Sequence, residues 1–438
     1  MVAPRTIAAR ADGAARACPG YPLRVPATAL RMPAIAAVGL AVFAVGVDTY
    51  IVAAVLPAIA DDLHEPISNV GLLASAYNLP TAILAPLFGP LSDRRGRRFS
   101  LILGLAIFAI AAAACILAPS LPLLLAARAI NGFGAAIILP AALAWAGDLP
   151  TLRDRGRAIG LISAAFPLAT LVGLPIGAVA TSVAGWRAPF AFIVAVALLG
   201  LVGVLRFREA PRAPGPLVGF LASYRRVFGD RRALAIVSVT LVWFAGTMGL
   251  FIYVAEFIHE MFAIPTDRAG LVYVVVGLVG VIATRTSGRL IATVGPRRAV
   301  LGGIGVFVIA ALILPLTRVS LPLAILVFGC WAFGTWFAIP AQQTIVAGLS
   351  STSRGMMLAL NASALNLGGV FGPFLTGRMI DIGGFGLAGP WASSLGLVAL
   401  AIAWFVLPRR VRGQDVSQPG PEAGERGAIA AEPVDPTA

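Results

Sequence analysis

The sequence contains no lysine: all 33 of its Lys and Arg positions are arginine. A Gly-x-x-x-x-Gly-Lys loop that would cradle a nucleotide phosphate is therefore missing, which argues against direct use of ATP. Histidine is nearly as scarce, with His64 and His259 as the only two, and cysteine is limited to Cys18, Cys115 and Cys330. Their spacing matches no metal or redox motif. No nucleophile and base stand together either. The chain reads as neither an enzyme nor a holder of a metal or an organic cofactor. Charge of either sign is sparse too. Charged residues make up 12% and apolar ones 59%, against about 25% and 45–50% in soluble domains. That balance excludes an ordinary soluble fold.

What is present is a series of long apolar segments, at 34–60, 69–92, 99–118, 122–146, 157–183, 188–206, 233–257, 269–294, 299–317, 321–346, 355–381 and 389–407. About 20 apolar residues suffice to cross a bilayer as a helix. None of the segments alternates as barrel strands do, and only helices or closed barrels satisfy their backbone groups in lipid. The expected fold is an all-α polytopic membrane protein of twelve transmembrane helices.

The second half repeats the first. Gly89, Leu91 and Gly96 recur as Gly288, Leu290 and Gly295, with the glycines seven residues apart in both copies. Leu121-Pro122-Leu123 recurs as Leu321-Pro322-Leu323, Gly134 and Pro140 as Gly334 and Pro340, and Gly173 as Gly372. An offset held at 199–200 implies two six-helix bundles, an arrangement suited to moving something between them. The expected divisions are a disordered tail at 1–33, bundles at 34–206 and 233–407, a linker at 207–232 and a disordered tail at 408–438. The linker holds Pro211, Pro214 and Pro216 among several arginines. Met32 directly precedes the first apolar segment, so residues before it read equally as a tail or as a mis-assigned start.

The net charge of +14 invites a nucleic-acid reading, but its distribution points to topology. Twenty-seven arginines fall on the tails and alternate connections, and three (Arg187, Arg268, Arg318) on the opposite side. By the positive-inside rule both termini are cytoplasmic. All-arginine usage with abundant Ala, Gly and Pro points to a GC-rich bacterial genome, and hence to the inner membrane.

Four motifs give the chain a family resemblance. They are Gly89-Pro-Leu-Ser-Asp93-Arg94-Arg-Gly96-Arg97-Arg98, Gly46-Val-Asp48-Thr-Tyr-Ile-Val-Ala-Ala-Val-Leu-Pro57, Arg128-Ala-Ile-Asn-Gly132, and Gly173-Leu-Pro175-Ile-Gly177 followed by Gly185-Trp-Arg. Over residues 34 to 407 the chain resembles the major facilitator superfamily, and within it the 12-helix drug:proton antiporters and their sugar-efflux relatives. The resemblance implies a monomer that exchanges protons for a small amphipathic, drug-like compound, including antibiotics, by alternating access. A sugar or small-metabolite exporter, or an uncoupled facilitator of the same fold, is the alternative.

Asp48 sits mid-way along the first segment, where an ionised carboxylate is costly unless paired or wet. It reads as a proton carrier, as a partner for a cationic substrate, or as a structural hydrogen-bonding group. Arg128 lies six residues into the fourth segment, roughly 9 Å deep at 1.5 Å per residue. The resemblance assigns it to proton coupling, while its depth also permits snorkelling to the interface. Gly89, Asp93, Arg94, Gly96, Arg97 and Arg98 are expected to form a cytoplasmic gate, although Ala292 and Thr293 replace the Asp-Arg pair in the second copy. Gly173, Pro175 and Gly177 are expected to bend the fifth segment and seal the outer half between the bundles, or simply to pack tightly. Candidate substrate contacts are Asn78, Trp243, Phe244, Arg285, Trp336, Asn361 and Asn366. Arg285 could bind an anionic group or pair with an acid. The expected partners are a small-molecule substrate, protons and the lipid bilayer, with no nucleic acid.

Overall fold

The computed structural model describes residues 31–149, 152–207, 229–264, 272–349 and 354–408. The expected tails, and the linker apart from its edges, lie outside the described residues. Among these residues the fold is all helical, and twelve helical spans are long and apolar enough to cross a membrane. The first bundle comprises α1 (Arg31–Leu63), α2 (Ile67–Arg95), α3 (Arg97–Leu117), α4 (Leu121–Gly147), α5 (Leu152–Leu168), α6 (Leu174–Ala184) and α7 (Ala188–Arg206). A π-helical turn, Ala169–Gly173, joins α5 to α6 into one span. The second bundle comprises α8 (Arg231–Phe262), α9 (Val272–Val294), α10 (Pro296–Ile313), α11 (Leu321–Gly348), α12 (Arg354–Gly383) and α13 (Phe385–Val406).

The repeat in the sequence is a repeat in backbone chemistry. Gly96 and Gly295 both break the chain between helices with left-handed φ of +94° and +84°. A side chain there would be strained, so glycine is required at each. Two residues later the two copies make the same bond: Arg98 Nη2 donates to the Leu205 carbonyl at 2.7 Å, and Arg297 Nη2 to the Trp404 carbonyl at 2.8 Å. Ser120 and Ser320 are extended residues ahead of α4 and α11, each followed by proline in the first turn, where its missing N–H costs nothing. Gly134 abuts Gly104 and Phe108 just as Gly334 abuts Gly303 and Phe307. Small residues at such crossings let helix backbones approach closely where lipid supplies no hydrophobic drive.

The bundles meet along α2 and α12, α1 and α8, and the π turn and α9. The atomic contacts lie mid-helix and toward the arginine-poor end. Ser75 Oγ donates to the Val370 carbonyl at 2.6 Å. The Tyr273 hydroxyl reaches the Ala53 carbonyl at 3.2 Å and the Phe251 carbonyl at 3.0 Å. A Cβ on Gly277 would lie 2.7 Å from the Leu171 backbone. Beyond this region α9 loses its cover: from Thr284 to Ile291, Ser287 alone is buried.

Candidate functional site

The centre of the first bundle holds a buried ion pair. Arg128 Nη1 donates to Asp48 Oδ1 at 2.6 Å and Nη2 donates to the Asp48 carbonyl at 3.1 Å. Both side chains are 0% exposed. Asn131, one turn further along α4, directs Nδ2 to the same Oδ1 at 3.4 Å. The Arg128 guanidinium also lies 4.5 Å from the centroid of the Tyr77 ring, a cation–π contact strengthened by desolvation. Snorkelling is thereby excluded for Arg128, which turns inward because a carboxylate, a carbonyl and a ring meet it there. Pairing of Asp48 with a cationic substrate is not available in this conformation, since arginine occupies it. The site is not saturated: Asp48 Oδ2, Arg128 Nε and Asn131 Oδ1 are buried without a hydrogen-bond partner.

The loop motif is partly visible. Arg97 donates to Asp148 Oδ2 at 3.0 Å and to Ser92 Oγ at 3.1 Å, tying the α2–α3 corner to the end of α4. The backbones of Gly89, Asp93 and Arg94 lie in α2, but the side chains of Asp93 and Arg94 fall outside what is described. The fifth-span motif needs a correction. Gly173 and Gly177 face Val47 and Ile51 of α1, so they pack within the first bundle and do not seal it to the second. Gly372, the repeat of Gly173, likewise meets Ala245 of α8. Closure between the bundles at this level falls to Leu171 against Gly277. The helix is locally irregular at this motif. The Leu174 N–H reaches back to the Ala169 carbonyl, five residues away, beside Pro175, which has no N–H to give.

A narrow apolar cleft, with room for about one water molecule, lies between the bundles. Tyr50 forms one wall, while Phe244, Phe251, Trp331 and Trp336 form the other, with the hydroxyls of Thr247 and Thr335. The Tyr50 ring is 5.1 Å from Phe251 and 6.5 Å from Trp336.

Phe244 and Trp336 thus line this cleft, and the other candidate contacts do not. Trp243 is wholly buried behind Phe244. Asn78 bonds its own helix at the Ala74 carbonyl and packs on Gly369. Asn361 accepts from Thr240 at 2.7 Å, in a chain that includes Gln342. Asn366 donates to the Ala362 carbonyl. A buried amide must satisfy its hydrogen bonds: Asn78 does so on its own helix and Asn361 on α8. Arg285 is exposed on α9 and makes no ion pair among the described residues. Sequence reasoning missed Tyr77 as a partner of Arg128. Asn131 was legible in spacing, since i and i+3 share a helix face.

Comparison with known proteins agrees with this architecture. The family model for the Major Facilitator Superfamily matches residues 38–352. The chain is 24% identical over 356 residues to the uncharacterized MFS-type transporter YbcL of Bacillus subtilis (strain 168), covering 81% of this chain and 90% of that one. It is 26% identical over 346 residues to multidrug resistance protein 1 of the same organism, covering 76% and 86%. A bacterial homologue of the human lysosomal transporter Spinster, in an inward-facing and unoccupied conformation, superposes with a TM-score of 0.72 at 21% identity, covering 86% of this chain and 97% of that one. A D-xylose-proton symporter superposes with a TM-score of 0.71 at 20% identity, covering 86% and 98%. With its twelve spans, repeated bundles and a family match over most of its length, the chain is a membrane transporter that belongs to the Major Facilitator Superfamily.

Proposed function

We propose that the protein is a proton-coupled exporter of small amphipathic compounds, and that the Asp48–Arg128 pair is its coupling element. The observation that carries the reading is the unpartnered Oδ2 of a carboxylate whose other oxygen is already bonded to arginine. A proton arriving there cancels the ion pair and leaves Arg128 as a buried cation in need of a partner. The unpartnered Asn131 Oδ1 and the Tyr77 ring stand beside it. Two bonding patterns of similar cost are what a two-state transporter needs, because a ligand shifts an equilibrium only through its different affinity for the two states.

The conformation is read as inward-facing, with both termini on the cytoplasmic side of a bacterial inner membrane and the protein working as a monomer. The positive-inside distribution makes the arginine-rich end cytoplasmic, and the bundle contacts cluster away from it. In the alternating cycle the contacts at Ser75, Tyr273 and Gly277 break while the loop around Asp93 and Arg94 closes. The names of the multidrug relatives favour export of drug-like compounds. The sugar reading predicts a cleft rich in Asn, Gln and Trp; its lining has Trp331 and Trp336 but no Asn or Gln.

The test uses proteoliposomes with an internal pH dye, an imposed proton gradient, and a panel of lipophilic compounds. Substrate-dependent proton movement that Asp48→Asn abolishes supports the reading. Downhill substrate movement with no proton flux, unchanged in the variant, would overturn it and leave a facilitator.

A further inference from the structure

The C-terminal half of α9 carries charge that nothing else in the fold meets. Tyr273, Gly277, Gly280 and Ser287 turn one face of this helix to packed neighbours: the Ala53 carbonyl, the Leu171 backbone, the Trp336 ring and the Phe337 carbonyl. Leu278, Ile282, Arg285 and Arg289 follow one another at i, i+4, i+7 and i+11, so they share a second face. All four are exposed, Leu278 and Ile282 by 51% each. Both arginines fall inside the span Val272–Ile291, and neither makes an ion pair among the described residues. The loop arginines differ: Arg97 holds Asp148 and Ser92, and Arg297 holds the Trp404 carbonyl. Like charges one turn apart on a helix repel, and a cation within a span is costly until an anion or water meets it. Arg285 stands nine residues before Val294, the end of α9, roughly 13 Å along the axis. Its Cα–Cβ bond tilts toward the helix N-terminus, away from the headgroups nearer to it.

We infer that Arg285 and Arg289 form a binding site for one anionic phospholipid, drawn from the leaflet at the arginine-rich end. The lipid phosphate meets the two guanidiniums, whose planar forks match phosphate oxygens, and an acyl chain runs along Ile282 and Leu278 toward the bilayer centre. The order along the helix, cationic and then apolar, is the order of headgroup and chain. Access is open, because Ser287 alone is buried from Thr284 to Ile291. A headgroup can therefore lean in beside the helix, in the way that basic residues between spans hold anionic headgroups. The bound phosphate removes the repulsion between the two arginines and spares Arg285 the passage to the interface. The inference concerns the lipid-facing chemistry of α9 and rests neither on proton coupling nor on the direction of transport.

The experiment follows energy transfer from tryptophan to pyrene in the purified full chain, held in a neutral detergent. The two probes are phosphatidylglycerol and phosphatidylcholine with the same pyrene-bearing chain. Phosphatidylglycerol is expected to bind about thirtyfold tighter, each arginine near a headgroup contributing a factor of about five. Arg285→Gln and Arg289→Gln should each lower that preference about fivefold, and the double variant should abolish it. Both side chains are exposed, so unchanged thermal unfolding should accompany the loss. Arg318→Gln removes an exposed arginine from the turn before α11 and should leave the preference as it was, which separates a site from overall charge. Equal binding of the two lipids would overturn the inference, as would a preference that survives the double substitution. Displacement of phosphatidylglycerol by glycerol phosphate as readily as by unlabelled phosphatidylglycerol would overturn it too, and would assign the pair to a soluble anion.

Discussion

Arg128 and Asp48, eighty positions apart in sequence, meet at 2.6 Å with neither side chain exposed. A buried pair of this kind is weak evidence for stability, because desolvation cancels much of the attraction. Removing one partner is another matter. Asp48→Ala or Arg128→Ala should each destabilise the fold by about 3–5 kcal/mol, whereas Asp48→Leu with Arg128→Met should come close to the parent. Thermal unfolding followed by a dye that reacts with the buried Cys115 would read this out. A double variant as unstable as the singles would deny the pairing. All three should lose proton-coupled transport.

Gly277 is where α9 touches the Leu171 backbone. Gly277→Val cannot be accommodated by a side-chain shift, since the obstacle is main chain. The arginine-poor end should therefore open. A cysteine at Ser75, in a chain with Cys18, Cys115 and Cys330 replaced, would report it. Its labelling by an impermeant maleimide should rise severalfold in the valine variant.

The same probe tests Tyr273, whose hydroxyl touches carbonyls of both bundles. Tyr273→Phe removes one hydrogen bond worth about 1 kcal/mol, so labelling should rise about fivefold. An unchanged rate would mean that the hydroxyl does not help to hold the bundles together.

Gly96 and Gly295 share a backbone conformation that other residues strain to adopt. Alanine at either should cost about 1–3 kcal/mol. The two unfolding midpoints should fall by similar amounts, because the local geometry is the same. Transport should suffer more at Gly96, where the charged loop motif has been kept.

The fold was readable because it is periodic. The 199–200 offset and the seven-residue glycine spacing carry directly into matching turns at Gly96 and Gly295 and matching crossings at Gly134 and Gly334. That Asp48 needs a partner was readable for a different reason, since lipid makes a lone carboxylate costly; that Arg128 is the partner was not, because its depth also allowed it to reach the interface. Polar amides were less informative. Asn78 and Asn361 each need a partner in an apolar surrounding, but a carbonyl one turn away, or a threonine on a neighbouring helix, serves as well as a substrate. The direction in which Gly173 and Gly177 face depends on how α6 rotates after the π turn, and no single helix period records that. Trp243 and Trp336 look alike as letters, and only packing decides which of them reaches the cleft.

Asp48 and Arg128 are the only charged residues fully buried among those described, and they are not alike. A guanidinium stays charged at any physiological pH, so the centre can hold a net charge of zero or plus one and nothing else. Under the coupling proposed above, at most one proton rides through it in each turnover. If the cargo is neutral, each exchange carries one net charge inward, and a membrane potential contributes about 2.3 kcal/mol per 100 mV beyond the pH gradient. If the cargo is a monoanion, two charges move and the electrical share doubles. The voltage dependence of export would therefore count the charge of the cargo.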